Sequence, residues 1–210
     1  MVLARSMLSL VCALGAVSAA LAEGPGAGSW VVRGRLIGIV PDESGPITPI
    51  GGKANAENTV VPELDVTYYF TDEIAAEVIA AVTKHDVVAE GTTLGNVPLG
   101  DGTILPPTLT LQWHPVVGGN LRPYAGAGVN YSIFLDADPA GGAVTALSFG
   151  DSFGPAVQAG IDIDLNDRWM FNIDVKKVWL NTKVKVNGGA IRGDVDLDPW
   201  IIGAGFGYRF

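Results

Sequence analysis

The sequence predicts an all-β fold, an eight-stranded antiparallel β-barrel of the transmembrane, outer-membrane type. Apolar residues alternate with small or polar ones in eight segments, which is the period of a strand with one apolar face. The connections between these segments are alternately short and long, as in barrels with short periplasmic turns and long extracellular loops. The mean hydropathy is positive, yet beyond the N-terminus no apolar run approaches the roughly 20 residues that a spanning helix needs.

The last predicted strand, from Trp200 to Phe210, shows the alternation most clearly. One face carries bulky aromatic residues at both ends of an apolar band, and the other face is mostly glycine. Such a strand fits a wall between lipid and lumen, because these barrels have an apolar exterior flanked by aromatic residues. The outward residues are Trp200, Ile202, Ala204, Phe206, Tyr208 and Phe210, and the inward residues are Ile201, Gly203, Gly205, Gly207 and Arg209.

The N-terminus predicts export. Arg5 gives a positively charged start, and an apolar run over Met7–Ala20 leads to an Ala-Leu-Ala cleavage site. We therefore expect a signal peptide at residues 1–22 and a single barrel domain at residues 23–210. The only cysteine, Cys12, lies in the signal peptide, so neither disulfides nor thiol chemistry would serve the mature protein.

The overall charge argues against nucleic acid as a partner. The 210 residues include 13 Lys and Arg against 22 Asp and Glu, for a formal net charge of -9. Nucleic acids are bound by basic surfaces, so an acidic chain of this kind is expected to have other partners.

The first two predicted strands place charged residues on their inward faces. Trp30–Val40 carries Arg33 and Arg35 on one face, where contact with lipid would cost roughly 2 to 4 kcal/mol for each arginine. Both arginines are therefore expected to point into the lumen. The second strand covers 62–70. Its predicted inward residues are Glu63, Asp65, Thr67 and Tyr69.

The segment Asp72–His85 has an ambiguous pattern. Ile74, Val78 and Val82 are spaced as on a helix, and the alanines and glutamates favour a helix. However, a helix placed directly after a strand would leave that strand's edge unpaired, so we predict a third strand here. Its inward residues would be Ala75, Glu77, Ile79 and Ala81.

Four further segments alternate in the same way before the last strand. They are residues 106–113, 124–134, 153–165 and 169–176, and their charged inward residues are Asp162, Asp164, Asp174 and Lys176. Loops are predicted at 41–59, 86–104, 136–151 and around 187–189, and tight turns at 71–72, 114–120 and 166–167. An even number of strands returns both termini to the periplasmic side, and closing the sheet removes its edges.

Five blocks of sequence, in order, resemble the outer membrane protein W (OmpW) family: PELDVTYYFTDEIAAE, LPPTLTLQWH, RPYAGAGVNY, LNDRWMFNIDVK and DVDLDPWIIGAGFGYRF. The resemblance implies an eight-stranded outer-membrane barrel whose narrow, partly apolar lumen passes small hydrophobic molecules. It also implies that the terminal aromatic strand, ending at Phe210, is the signal recognised by the barrel-assembly machinery. Ile79 matches an apolar lumen-facing residue of the family. Lys176 departs from the family pattern, because relatives can carry an inward aromatic residue there.

The lumen of an eight-stranded barrel is only wide enough for side chains to fill it or to hold one small ligand. Its charged residues are expected to pair, since an unpaired buried ion costs several kcal/mol. Two interpretations stay open: the pairs form a structural plug, or a solute passes among them. We expect Ile79, Tyr124 and Ile201 to form the apolar lining, with Lys176 nearby. The predicted charge network comprises Arg33, Arg35, Glu63, Asp65, Glu77, Asp162, Asp174, Lys176 and Arg209.

One acidic motif could bind a metal. Asp194, Asp196 and Asp198 would share a face of a strand, and hard oxygen donors of this kind suit Ca²⁺. A turn centred near Gly188 would place Lys183 almost opposite Asp194, so ion pairing explains the motif more simply. We therefore expect no metal at this position.

The two histidines do not predict a catalytic site. His85 and His114 would face opposite ends of the barrel, so they cannot share a metal or a triad. A lipid-modifying enzyme would need a serine or histidine with a carboxylate near the outer rim, and only His85, Asp86 and Ser132 are candidates. No motif links these three residues, so we predict neither enzymatic activity nor a cofactor.

The sequence therefore predicts a monomeric barrel in the bacterial outer membrane that admits a small apolar solute between its loops. Exit through a gap in the wall is expected, because the charged lower lumen would oppose apolar passage to the periplasm. The expected partners are the outer-membrane bilayer with its lipopolysaccharide, the barrel-assembly machinery and the solute. The alternative is a structural or surface-recognition barrel, serving as a receptor or in adhesion, with a closed lumen and acidic loops that bind partners.

Overall fold

The structure is a computed structural model that describes residues 25–210. The predicted signal peptide, residues 1–22, lies outside the described residues and stays a prediction. The described chain forms strands and one 3-10 turn at Asn187–Gly189. Within this part of the chain, no helix is long and apolar enough to cross a membrane.

Fifteen strands form within residues 25–210. In chain order they are β1 (Trp30–Val40), β2 (Ile47–Thr48), β3 (Lys53–Ala56), β4 (Thr59–Tyr69), β5 (Ile74–Ala81), β6 (Thr83–Thr92), β7 (Gly95–Leu105), β8 (Thr108–Trp113), β9 (Leu121–Pro139), β10 (Leu147–Phe149), β11 (Ser152–Asp164), β12 (Trp169–Val178), β13 (Asn181–Val186), β14 (Ile191–Asp196) and β15 (Trp200–Arg209).

Eight of these strands close into an antiparallel barrel. The order around the wall is β1, β4, β5, β8, β9, β11, β12 and β15. The barrel closes where β15 pairs with β1, with Val40 opposite Trp200 and Val31 opposite Arg209. The predicted fold class is therefore confirmed. Both wall termini and the short turns share one end, which is the periplasmic end in barrels of this class.

The exterior of the barrel is an apolar band between two groups of aromatic residues. Leu36, Leu64 and Ile202 lie in the band and are 65%, 56% and 57% exposed, as expected for side chains that contact lipid. Rings in the periplasmic group pack on one another, such as Trp30 on Tyr68 at 4.7 Å between centroids. The periplasmic group is Trp30, Tyr68, Phe70, Trp113, Trp169, Tyr208 and Phe210, and the extracellular group is Tyr131, Phe153, Trp179 and Trp200.

The ambiguous segment forms a strand, as predicted. β5 pairs with β4 on one side and with β8 on the other. Within β5, Val78 is 54% exposed whereas Ile79 is 3% exposed, so the alternation of the wall overrides the helical spacing. The reason is physical: a helix would leave the backbone groups of both neighbours without partners in the membrane.

The long extracellular connections are present as predicted, but they contain strands that the sequence analysis assigned to loops. The segment 86–104 belongs to the hairpin of β6 and β7, while 41–59 contains β2 and β3. The segment 136–151 contains β10, and β9 itself runs to Pro139. Glycines that predicted loops instead sit at turns and irregular pairings of these strands. Gly100, for example, has a φ of 133° beside a register shift between β6 and β7.

The extracellular strands enclose a second apolar core above the barrel. One sheet has the order β10, β13, β14 and β2, and β3, β6 and β7 extend the barrel sheet on the other side. Val184, Val186 and Val195 pack between the two layers. The whole core consists of Ile47, Ala54, Ala89, Leu99, Val144, Leu147, Val184, Val186 and Val195.

Candidate functional site

A cavity fills the extracellular half of the barrel and continues upward between the two layers of strands. The empty volume of the cavity, including its open mouth, is about 1060 Å³. The lower wall is built from inward residues of the barrel strands, namely Ile37, Ile39, Ile79, Val178 and Ile201. The upper wall includes Ile104, Phe134, Phe149, Leu180, Val184, Val195 and Leu197. Most of this lining is apolar, so the cavity suits an apolar molecule.

The floor of the cavity is an ion pair. Lys176 Nζ lies 3.0 Å from Glu63 Oε1 and 2.6 Å from Asp174 Oδ1. Lys176 and Glu63 both line the cavity, and their side chains are each 3% exposed. The apolar space therefore ends abruptly on paired charges.

Below this floor, two arginines of β1 hold carboxylates from several strands. Arg33 Nη2 lies 2.7 Å from Asp162 Oδ2, and its Nη1 lies 3.0 Å from Asp65 Oδ1. Arg35 lies within 3.0 Å of three carboxylates and 3.8 Å from a fourth. These are Glu63 at 2.8 Å, Asp65 at 2.7 Å, Glu77 at 2.9 Å and Asp174 at 3.8 Å. We call this set, with Lys176, the charged plug.

Polar side chains complete the charged plug. Glu77 Oε2 accepts hydrogen bonds from Gln112 Nε2 and Gln158 Nε2, each at 2.6 Å. At the periplasmic end, Arg209 Nη2 donates to Asp164 Oδ1 at 2.9 Å. The eight ionic residues defined above as the charged plug are at most 5% exposed, and Asp164 and Arg209 below them are 6% and 9% exposed, so together they fill the lower lumen. Since burying ions is costly unless they are paired and hydrogen-bonded, this network has to be nearly complete to persist.

Tyr124 lies in the charged plug and not in the cavity, contrary to the expected apolar lining. Its hydroxyl donates to Asp174 Oδ2 at 2.8 Å and accepts from Asn172 Nδ2 at 3.1 Å. Its ring stacks on His114 with 5.1 Å between centroids. The phenol needs a polar partner when buried, and the plug supplies one. Of the other expected lining residues, Ile79, Ile201 and Lys176 all border the cavity.

Several cavity residues were not expected in the lining. Phe149, which stacks on Phe134 at 5.0 Å, lies in a segment that was expected to be a loop. Val184 and Val195, which close the upper wall, lie between the last two predicted strands of the barrel. The alternation Lys183-Val184-Lys185-Val186 was a usable signal for an extracellular strand.

The acidic triplet is divided between a strand and the connection that follows it. Asp194 and Asp196 belong to β14, and Lys183 is paired opposite Asp194 as predicted. The two carboxylates accept hydrogen bonds from Asn181 Nδ2 at 2.7 and 2.8 Å. In residues 25–210 no group of three His, Cys, Asp or Glu has an arrangement that could hold a metal.

The residues considered for catalysis do not form a triad. His85 borders the mouth of the cavity, with Nδ1 3.2 Å from the carbonyl oxygen of Glu57. Burial lowers the pKa of His85, so its imidazole is neutral at pH 7. Ser132 Oγ donates to Asn130 Oδ1 at 2.7 Å, so its hydroxyl is engaged with an amide.

The barrel wall has a weak point beside the cavity. Pairing of β5 with β8 ends at Ile79 opposite Thr108, and pairing of β6 with β7 begins at Thr83 opposite Ile104. Between these points the chain carries Pro106 and Pro107, which have no N–H to donate. The ladder is therefore interrupted at a place where Pro106 itself lines the cavity.

A family model described as the OmpW family matches residues 26–210. The chain belongs to the OmpW family. The uncharacterised outer-membrane protein y4mB of Sinorhizobium fredii is 40% identical over 194 residues, which is 90% of this chain and 83% of that protein. Outer membrane protein W of Vibrio cholerae is 33% identical over 218 residues, which is 97% of this chain and 100% of that protein.

The crystal structure of OprG, an outer-membrane protein of Pseudomonas aeruginosa, has the same architecture as this OmpW-family chain. It superimposes with a TM-score of 0.82 at 35% identity, covering 90% of this chain and 98% of OprG. Membership of the family, together with the lipid-facing band, places the protein in the bacterial outer membrane. The predicted family and location are thus confirmed.

Proposed function

We propose that this OmpW-family barrel passes small hydrophobic molecules from the cell exterior into the outer membrane. The observation that carries the proposal is the apolar cavity resting on the charged plug. An apolar molecule gains free energy in the upper lumen, at about 25 cal/mol per Å² of apolar surface removed from water. It would gain nothing among the paired ions below, so the cavity has an entrance at the top and no favourable route downward.

The exit that we propose lies at Pro106 and Pro107. Lateral release needs a place where the wall can part without breaking a ladder. Residues 80 and 81 pair with β4 on one side, but on the side of β8 the ladder ends at Ile79 and residues 80–82 are not paired. Asn130 Nδ2 donates to the carbonyl of Pro106 at 3.1 Å and to Thr108 Oγ1 at 2.8 Å. Because Asn130 belongs to β9, these bonds hold residues 106–108 to β9, on the side away from residues 80–82, and they do not span the interruption.

A relative's name supports the class of solute. The dibenzothiophene metabolism operon protein DoxH of a Pseudomonas species is 30% identical over 162 residues, which is 76% of each chain. Dibenzothiophene is a small, apolar, fused aromatic compound, and such a compound is the kind of molecule that the cavity lining suits. We extend this class to the present chain as part of the proposal.

A structural or surface-recognition barrel is the second candidate. It is favoured by the charged plug, which fills the lower lumen with side chains that are at most 5% exposed. In both cases we propose that the barrel is a monomer without enzymatic activity, and that its terminal Phe210 is read by the barrel-assembly machinery. Lipopolysaccharide is proposed as a partner in both cases as well.

The test of transport compares two tryptophan substitutions at adjacent positions of β5. Ile79→Trp would fill the cavity, whereas Val78→Trp would add the same ring to the lipid-facing side. The measurement is uptake of radiolabelled naphthalene by outer-membrane vesicles, with planar-bilayer recording of the same proteins. We expect Ile79→Trp to reduce uptake to the level of vesicles without the barrel, and Val78→Trp to leave it unchanged. Equal uptake by both variants and wild type would refute transport through the cavity and favour the structural barrel.

A second test addresses the exit. The register of β5 and β8, continued past their last pair, places Ala81 opposite Pro106, so Ala81→Cys with Pro106→Cys should form a disulfide across the interruption. The control pair, Ala76→Cys with Leu111→Cys, lies opposite each other in the unbroken ladder. We expect oxidation to stop uptake only in the first pair, and reductant to restore it. Transport that continues through the oxidised first pair would exclude this exit.

A further inference from the structure

The extracellular sheet of β10, β13, β14 and β2 has two different faces. Its inner face is apolar and packs in the upper core, through residues such as Leu147, Val186 and Ile47. Its outer face is exposed and carries Lys183, Lys185 and Arg192. The sheet therefore fixes three cations on one outward surface of a protein whose formal net charge is -9.

Four donor side chains form one row across this sheet. Ser148 of β10 lies opposite Lys185 of β13, Lys185 lies opposite Arg192 of β14, and Arg192 lies opposite Thr48 of β2. All four residues are exposed. Residues opposite each other on antiparallel strands share a face, so a hydroxyl, an ammonium, a guanidinium and a second hydroxyl stand side by side. We call this set the donor row.

In the part of the chain that the structure describes, the two charges of the donor row have no carboxylate partner. Like charges placed directly opposite each other destabilise a sheet, and Lys185 faces Arg192. Within residues 25–210 neither forms a salt bridge, and Arg192 Nε donates to the carbonyl of Gly189 at 2.8 Å. By contrast, Lys84 and Lys177, also on the extracellular side, lie 2.8 and 3.6 Å from carboxylates.

Lys183 extends the cationic surface, because it lies two residues before Lys185 on the same face of β13. It lies opposite Asp194, but Asp194 Oδ1 accepts a hydrogen bond from Asn181 Nδ2 at 2.7 Å. The tip of the β13–β14 hairpin thus carries cations, and the neighbouring carboxylate, Asp194, is hydrogen-bonded to the side-chain amide of Asn181. An anion bound at the tip would relieve the repulsion and satisfy the free donors together.

We propose that the donor row binds phosphate groups of the lipopolysaccharide saccharide around the barrel. The position of the row supports this partner. Lys177 marks the extracellular rim of the wall, because it lies 5.1 Å from the ring of Trp200. Lys185 is further along the same chain, at a height of roughly 20 Å above that rim, taking about 3.3 Å per residue and a strand tilt of about 40°. That height lies outside the hydrocarbon, among the sugars of the outer leaflet.

The test uses a water-soluble probe so that insertion of lipid chains does not contribute. The probe is a fully deacylated, phosphorylated lipopolysaccharide saccharide, titrated by calorimetry into the full mature barrel in a maltoside detergent. The double variant Lys185→Gln with Arg192→Gln is compared with wild type and with Lys53→Gln plus Lys84→Gln, which removes the same charge from β3 and β6. The charge-retaining pair Lys185→Arg with Arg192→Lys tests rescue, and electrophoretic mobility before and after heating confirms folding.

We expect Lys185→Gln with Arg192→Gln to weaken binding of the saccharide about tenfold or more at low salt, and the control pair, Lys53→Gln with Lys84→Gln, to weaken it far less. The charge-retaining pair should restore most of the affinity. Equal weakening by the control pair would show that only the overall charge matters, and would overturn the proposal. So would undiminished binding of the saccharide after its phosphates are removed with hydrofluoric acid. Inorganic phosphate that binds as tightly as the saccharide would overturn lipopolysaccharide as the partner.

Discussion

Arg35 contacts more carboxylates than any other cation of the charged plug, so replacing it by methionine tests what the plug contributes to stability. The guanidinium lies within 3.0 Å of Glu63, Asp65 and Glu77 and donates to Asn172 Oδ1 at 3.1 Å. Methionine keeps an unbranched apolar stem, but it is shorter than arginine and removes every one of these contacts. The carboxylates would then remain buried with less positive charge around them.

The expected cost follows from the burial of both partners. Breaking a buried ion pair by removing one side typically costs about 3 to 5 kcal/mol, because the remaining charge is left without compensation. Arg35→Met should lower the free energy of unfolding by at least that much. A second substitution, Glu77→Gln, removes one of the stranded charges, so the double variant should lose less than the sum of the two single changes.

The assay is urea unfolding of the refolded barrel in detergent micelles, followed by tryptophan fluorescence. With a slope of about 1 to 3 kcal/mol per molar urea, the midpoint should fall by about 1 M or more. Arg168→Met is the matched control, because Arg168 is exposed in a periplasmic turn and makes one side-chain hydrogen bond, to Tyr208 at 3.0 Å. If Arg35→Met shifts the midpoint no further than this control, the buried ions do not stabilise the barrel.

Two further predictions concern the exterior and the cavity mouth. Leu36→Lys should lower the free energy of unfolding in lipid bilayers by about 2 to 4 kcal/mol. The control, Leu94→Lys, lies at a similarly exposed position above the membrane and should change the free energy of unfolding by less than about 0.5 kcal/mol. Equal effects of the two substitutions would contradict the assigned membrane band. Because burial lowers the pKa of His85, the unfolded chain binds the proton more readily. The contribution of neutral His85 to the free energy of unfolding should therefore be complete above the ordinary histidine pKa of about 6.5 and be lost as the pH drops through the folded-state pKa. This pH-dependent contribution should be absent from His85→Gln. A dependence of the free energy of unfolding on pH that is the same in wild type and His85→Gln would refute the prediction.

The wall of the barrel was predictable because lipid imposes a strict rule on every strand. Apolar side chains must face hydrocarbon and charges must not, so Arg33 and Arg35 could be assigned to the lumen from their spacing alone. The same rule decided between helix and strand for Ile74–Ala81. Above the membrane no such rule applies, and the strands there alternate less regularly and contain glycines. They were accordingly expected to be loops.

The sequence by itself determined which residues face lipid, which face inward, and that the inward charges must pair. It could not determine the partners, because these depend on the stagger of strands that are far apart in the chain. Arg33 and Asp162, separated by 129 positions, meet only when the barrel closes. Tyr124 likewise meets Asp174 only because the registers of β9 and β12 place both residues opposite Gly160 of β11. The periodicity of a strand fixes the direction of a side chain, whereas its height and neighbours are fixed by register, which only the folded barrel provides.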